Sequence, residues 1–170
     1  QNYSRKFEGT VTLTTALSHS INTAAVRISE AVGREAVRTV AKDFGIGSDL
    51  DIGPALALGT SEATLLEMTG AYAGILNGGR SVTPYGLVEL SLQGEAAPLM
   101  DKSGGMGERV ISEFAARQLV YMLNQVAETG TAKRALLPDR KIAAKTGTTQ
   151  GARDAWFIGF TADYVVGVWM

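Results

Sequence analysis

The stretch Ala143-Ala-Lys-Thr-Gly-Thr-Thr-Gln-Gly-Ala-Arg-Asp-Ala-Trp-Phe-Ile-Gly-Phe160 sets two apolar runs on either side of a polar turn. In the second run Trp156, Ile158 and Phe160 alternate with Ala155, Phe157 and Gly159, the period of two that a strand presents to its two faces. A third run, Tyr164-Val-Val-Gly-Val-Trp-Met170, follows closely, so strands are expected over about 141–148, 155–161 and 163–169. Both faces of this antiparallel meander are apolar, which predicts a sheet covered on both sides.

Upstream the period changes. Val11, Leu13, Leu17, Ile21, Ala24, Ala25 and Ile28 recur at three- and four-residue spacings, and Val37, Val40, Ala41 and Phe44 share a face. Two or three helices are therefore expected over 10–45, punctuated by Gly33 and Gly45. Residues 45–60 read as a loop. Thr64-Leu-Leu-Glu67 is a capping box ahead of a helix carrying Leu65, Met68, Ala71, Tyr72 and Ile75, closed by Asn77-Gly78-Gly79. Ser81–Leu92 reads as extended chain interrupted at Pro84-Tyr-Gly86, and 93–108 as a polar connector. Ser112 caps a further helix with Phe114, Leu119, Met122, Leu123 and Val126 facing inward, closed by Gly130, with one more turn over Thr131–Leu136. Helices first and a meander last make an α+β chain.

With 170 residues, 45% hydrophobic and 19% charged, the chain is long and apolar enough for one packed domain. A net charge of -1 gives no electrostatic case for nucleic acid or an anionic membrane surface. No cysteine is present and His19 is the single histidine, so thiolate and multi-histidine metal sites are excluded, and no metal or cofactor is expected. No run of 18 apolar residues or charged-then-apolar leader occurs. The chain opens on Gln1 and stops within an apolar run, which reads as a segment of something longer.

Two places carry candidate chemistry. On a strand, Lys145, Gly147 and Thr149 point one way and Thr146 and Thr148 the other. An ammonium and threonine hydroxyls at one strand edge suit a carboxylate, and the edge amides suit a peptide added as a further strand. Taken alone, these residues read more readily as a solvated edge strand before a turn. In Ser18-His19-Ser20-Ile21-Asn22, a hydroxyl able to pass a proton lies two residues from an amide able to hold a peptide group. Ser20 also reads as an N-cap, and His19 as a surface histidine with no nearby acid to orient it.

Ser20-Ile21-Asn22 has the form Ser-x-Asn, and Lys145-Thr146-Gly147 follows 125 residues later. Around them stand Val11-Thr-Leu-Thr-Thr-Ala-Leu17, Ala57-Leu-Gly-Thr-Ser-Glu62, Met68-Thr-Gly-Ala-Tyr-Ala73, Val82-Thr-Pro84, Glu128-Thr-Gly-Thr131, Arg153-Asp-Ala-Trp-Phe157 and Val165-Val-Gly-Val-Trp169. In this order the chain resembles the transpeptidase domain of class A (bifunctional) penicillin-binding proteins. The resemblance implies an α+β fold of the penicillin-binding protein and serine β-lactamase type, a helical subdomain plus an antiparallel sheet lacking its early strands. Residues 1–170 would form a partial transpeptidase domain, with 1–80 mainly helical and 141–170 the strands.

It further implies acyl transfer from a D-Ala–D-Ala stem peptide of peptidoglycan to an amine of a second strand, with β-lactams as donor mimics. Ser20 would relay a proton to the leaving nitrogen and Asn22 would bind the donor's amide. Lys145 would supply positive charge, and Thr146 and Thr148 would bind the carboxylate. The Thr148 amide would form half of the oxyanion hole, and Gly147 would keep the edge open. Trp156 and Phe157 would be core, and Arg153 and Asp154 would fix the turn.

The family's Ser-x-x-Lys nucleophile is absent: Ser4, Ser18, Ser20, Ser29, Ser48, Ser61, Ser81, Ser91, Ser103 and Ser112 all lack a lysine three residues on. It is expected upstream of Gln1, with the early strands, a glycosyltransferase domain and a membrane anchor, so the chain by itself is expected to be inactive. Expected partners are stem peptides, β-lactams and an N-terminal complementing segment, at the outer face of the inner membrane in the bacterial cell envelope. A non-catalytic module binding a peptide or D-Ala carboxylate, and a serine β-lactamase or penicillin sensor, are the alternatives. With early strands missing, Tyr164–Trp169 is expected to leave an unpaired apolar edge prone to aggregation.

Overall fold

A computed structural model of the chain describes residues 2, 7–101, 105–149, 151 and 153–170. Helix α1 (Leu13–Ser18) starts where Thr12 Oγ1 accepts from the Thr15 amide. Helix α2 (Asn22–Val32) and helix α3 (Arg34–Asp43) share one joint residue, Gly33, whose φ of 90° a side chain would disfavour. A loop with one 3₁₀ turn at Leu56–Leu58 leads to helix α4 (Leu65–Leu76).

Strand β1 (Arg80–Val82) pairs antiparallel with β4 (Met106–Arg109), and between them β2 (Glu89–Leu90) pairs with β3 (Met100–Asp101). The region expected to be a polar connector thus contains β3 and most of β4, although its charge and glycine content hid any strand period. Only Arg80–Val82 and Glu89–Leu90 of the expected extended stretch are strand. Residues 102–104 of the connector, positions 150 and 152 of the turn, and Ser4 and Ser103 of the serine search lie outside the described residues.

Helix α5 (Glu113–Glu128) is capped by Ser112, whose Oγ accepts from the Ala115 amide at 3.2 Å. Its buried residues are Ala116, Leu123, Val126 and Ala127, with Leu119 and Val120 packed beside them. Phe114, expected to face inward, is instead 73% exposed. At 100° per residue it lies about 200° around the helix from Ala116, off the stripe that meets the sheet.

Strands β5 (Ala143–Thr148), β6 (Ala155–Phe160) and β7 (Val165–Trp169) form the expected meander in the order β5-β6-β7, with Lys145 opposite Ile158 and Gly147 opposite Trp156. Leu123, Ala143 and Phe160 form one core with Leu17, Tyr72 and Ile75, and Val126, Ala132 and Ala144 form another with Phe157. The expectation that both faces are covered holds only in part. Along β7, Val166 is 51% and Val168 40% exposed, whereas Gly167 on the other face meets Thr69 and Leu65 of α4. Helix α4 covers the face of Gly167, whereas the opposite face is covered at β5, where Val126 of α5 packs with Ala144 and Phe157, and is left partly open at Val166 and Val168. No described helix is long and apolar enough to cross a membrane.

The capping box forms as read, and Glu67 does more than cap. Its carboxylate accepts from the Thr64 amide and hydroxyl, from the Gly47 and Ser48 amides and from the Ser48 hydroxyl. These bonds, that from the Thr64 amide foremost, hold its pKa down to about 2. A depressed carboxylate stabilises the fold fully above its ordinary 4.5, and that stability is lost as the pH falls towards 2. Glu67→Gln is expected to cost about 2 kcal/mol at neutral pH and to flatten the acid limb of the stability curve. Urea unfolding of both proteins at neutral pH and at about pH 3 checks this; parallel acid limbs would contradict it.

Candidate active site

Strand β5 brings Lys145 to the loop between α1 and α2. Lys145 Nζ donates to Ser20 Oγ at 2.5 Å and to the Thr146 carbonyl at 2.7 Å. Burial pushes the ammonium below its ordinary pKa of 10.5. With its oxygen accepting from the ammonium, the Ser20 hydroxyl keeps its own hydrogen for another acceptor.

Ser20 is not the N-cap that the sequence also allowed. The cap position of α2 falls on Ile21, and no cap side chain bonds the first turn. Ser20 instead sits at a φ of 51°, a left-handed conformation that costs a non-glycine residue of order 1 kcal/mol. Bonds from the Ser20 amide to Leu17 O and the Ile21 amide to Ala16 O hold it there. The first turn of α2 is served from far away, because the Thr23 amide and hydroxyl both donate to Oδ1 of Asn2 at 3.0 Å. Freed from capping, Ser20 turns to Lys145. His19 is exposed, its Nδ1 near Ser18 Oγ and the Thr15 carbonyl, in keeping with a surface role.

Along the strand, Thr146 Oγ1 lies 2.7 Å from Thr131 Oγ1. Gly147 faces Trp156 across the ladder, and a Cβ there would lie 3.3 Å from Trp156 Cβ. The small residue therefore lets the Trp156 side chain pack. Thr148 is exposed at the strand's end, opposite Ala155. Asp154 fixes the following turn: its amide donates to Thr149 Oγ1, and its carboxylate accepts from the Thr149 hydroxyl and from Trp169 Nε1.

Asn22 opens α2 and lines a groove of 840 Å³ between that helix and residues 7–13. A second groove of 780 Å³, between α4, α5 and the sheet, is lined by Ile142 and Ala143 but not by Lys145–Thr148. The Lys145 cluster is instead an open strand edge: β5 ends the sheet, with no strand on its outer side among the described residues. The structure thus joins Ser20, Lys145 and Thr146, while Gly147 and Thr148 continue the same edge.

Two residues not singled out by sequence complete the cluster. The Thr131 amide donates to the Ser18 carbonyl at 3.1 Å, and a Cβ on Gly130 would fall 2.0 Å from that oxygen. Their signal was the motif Glu128-Thr-Gly-Thr131, which read as a helix end and as one stretch of the family resemblance but carried no site role.

The penicillin-binding protein transpeptidase domain model matches residues 1–169. Penicillin-binding protein 1A of Aquifex aeolicus is 41% identical over 170 residues, which are 100% of this chain and 23% of that protein. The chain thus spans about a quarter of that relative's length. Penicillin-binding protein 1A of Haemophilus influenzae superposes with a TM-score of 0.86 at 26% identity, over 99% of this chain and 31% of that one. The imipenem acyl-enzyme complex of penicillin-binding protein A from M. tuberculosis superposes with a TM-score of 0.80 at 25% identity, over 96% and 43%. With Ser-x-Asn and Lys-Thr-Gly meeting at one strand edge, this chain belongs to the penicillin-binding protein transpeptidase domain family.

Proposed function

We propose that the chain forms the leaving-group and carboxylate side of a serine D,D-transpeptidase site that cross-links peptidoglycan. The bond from Lys145 Nζ to Ser20 Oγ, between residues 125 apart, carries the reading. It offers a charged donor beside a hydroxyl poised to pass a proton, as the departure of an amine leaving group requires. In this reading Ser20 hands its proton to the leaving nitrogen and Asn22 holds the donor's amide. Lys145, Thr146 and Thr148 take the terminal carboxylate. The Thr148 amide stabilises the oxyanion, and Gly147 leaves the backbone approachable.

Residues 1–170 then make up one partial transpeptidase domain, with 1–80 mainly helical, 141–170 the three-stranded meander, and helix α5 (Glu113–Glu128) between them. The acyl-accepting serine comes from a segment outside these residues, since no Ser-x-x-Lys occurs among them. The site would work in the bacterial cell envelope, at the outer face of the inner membrane, held there by an upstream anchor and acylated by β-lactams. The test joins the chain, by fusion or by mixing, to a relative's transpeptidase segment that carries Ser-x-x-Lys. Fluorescent penicillin is expected to label the supplied serine only when both parts are present, and no labelling of the completed protein would sink the proposal.

The absence of Ser-x-x-Lys favours one second reading, a module that holds a D-Ala carboxylate without chemistry. Binding of a D-Ala–D-Ala peptide by the chain, with no labelling of the completed protein, would select it.

A further inference from the structure

The Lys145 edge and the Ser20 loop meet through a second connection besides the lysine. Thr131 follows α5 and touches both: its amide donates to the Ser18 carbonyl at 3.1 Å, and its hydroxyl lies 2.7 Å from that of Thr146. Gly130 lies so close to the Ser18 carbonyl that no side chain fits between them, which fixes the height of Thr131 over β5. Thr146 is thus held twice, at its carbonyl by Lys145 Nζ and at its hydroxyl by Thr131. Thr131 is exposed, so the paired hydroxyls border open solvent rather than core.

A hydroxyl has one hydrogen to give. If Thr146 donates it to an anion, its oxygen must accept from Thr131, and two hydroxyls in series strengthen each other. If the order were reversed, Thr146 would present only lone pairs and would repel a carboxylate. We propose that Thr131 is a positioning residue of the carboxylate site, donating to Thr146 so that the Thr146 hydrogen faces the bound carboxylate. The inference rests on the function proposed above. It adds that the helix-end motif Gly130-Thr131 tunes recognition of the substrate's terminal carboxylate without touching it.

The experiment titrates the 170-residue chain with N-acetyl-D-alanyl-D-alanine and with its C-terminal amide, following backbone amide resonances. Thr131→Val keeps the shape and the backbone bond to Ser18 but removes the hydroxyl. It is expected to weaken binding of the carboxylate peptide about tenfold and to leave binding of the amide peptide unchanged. Thr131→Ser is expected to restore the carboxylate preference. Equal affinity of Thr131→Val and the unsubstituted chain for the carboxylate peptide overturns the inference and leaves the proposed function standing. Failure of Thr131→Ser to restore binding also overturns it, because the methyl group rather than the hydroxyl would then matter. No binding of either peptide by the unsubstituted chain overturns the proposed function and this inference with it.

Discussion

Gly130→Ala is expected to destabilise the chain by about 3 kcal/mol and to detach Ser20 from Lys145. A Cβ at this position falls 2.0 Å from the Ser18 carbonyl oxygen and 2.7 Å from its carbon. Both obstacles are backbone, so no rotamer change relieves the clash. Either the end of α5 or the end of α1 must move. Moving α1 carries the Thr131–Ser18 bond and the left-handed Ser20 with it. Gly86→Ala is the control, because a Cβ there meets nothing within 4 Å. Its effect is expected to stay within about 0.5 kcal/mol. Thermal unfolding of the three proteins checks the prediction, and equal midpoints for Gly130→Ala and Gly86→Ala would refute it.

Lys145→Met is expected to separate function from stability. Methionine keeps the unbranched apolar stem, one atom shorter, and removes the charge, so labelling of the completed protein by fluorescent penicillin should fall on the order of 100-fold or more. Stability should change by no more than about 1 kcal/mol, in either direction, because the lost hydrogen bonds are offset by removal of a partly buried ammonium. The pH dependence gives an independent sign. Burial lowers the folded pKa of Lys145 below 10.5. Between that lowered value and 10.5 the unfolded chain holds a proton that the folded chain has released. Stability contributed by this group therefore rises with pH across the window, while the charge available to a carboxylate falls. Lys145→Met lacks this alkaline rise. Denaturant titrations on both sides of the window measure it, and an unchanged slope would show that Lys145 does not titrate as a buried amine.

Much of this architecture was legible because its signals are local. The capping box at Thr64–Glu67, the cap at Ser112, the glycine joint at Gly33 and the period of two in β5–β7 all depend on neighbours within a few residues. Phe114 and the 93–108 segment misled for one reason: apolar character and composition do not say which side of an element meets the core. The outer face of β7 makes the same point. Its residues alternate as a two-sided strand should, yet Val166 and Val168 stay open among the described residues.

What the sequence determined by itself was the order of elements, the meander and the pair of motifs that belong together. Tertiary structure alone decided what Ser20 does. A serine ahead of a helix is a capping candidate by local rules. Here Asn2, 21 residues away, serves the Thr23 amide, and Ser20 is left in a left-handed conformation against Lys145. It also decided that Gly130 and Thr131 belong to the site, since their partners Ser18 and Thr146 approach only once α1, α5 and β5 have packed. The physical reason is range: caps and alternation are satisfied within one or two turns of chain, whereas a buried ammonium takes its partners from whatever the packed core brings within hydrogen-bond reach.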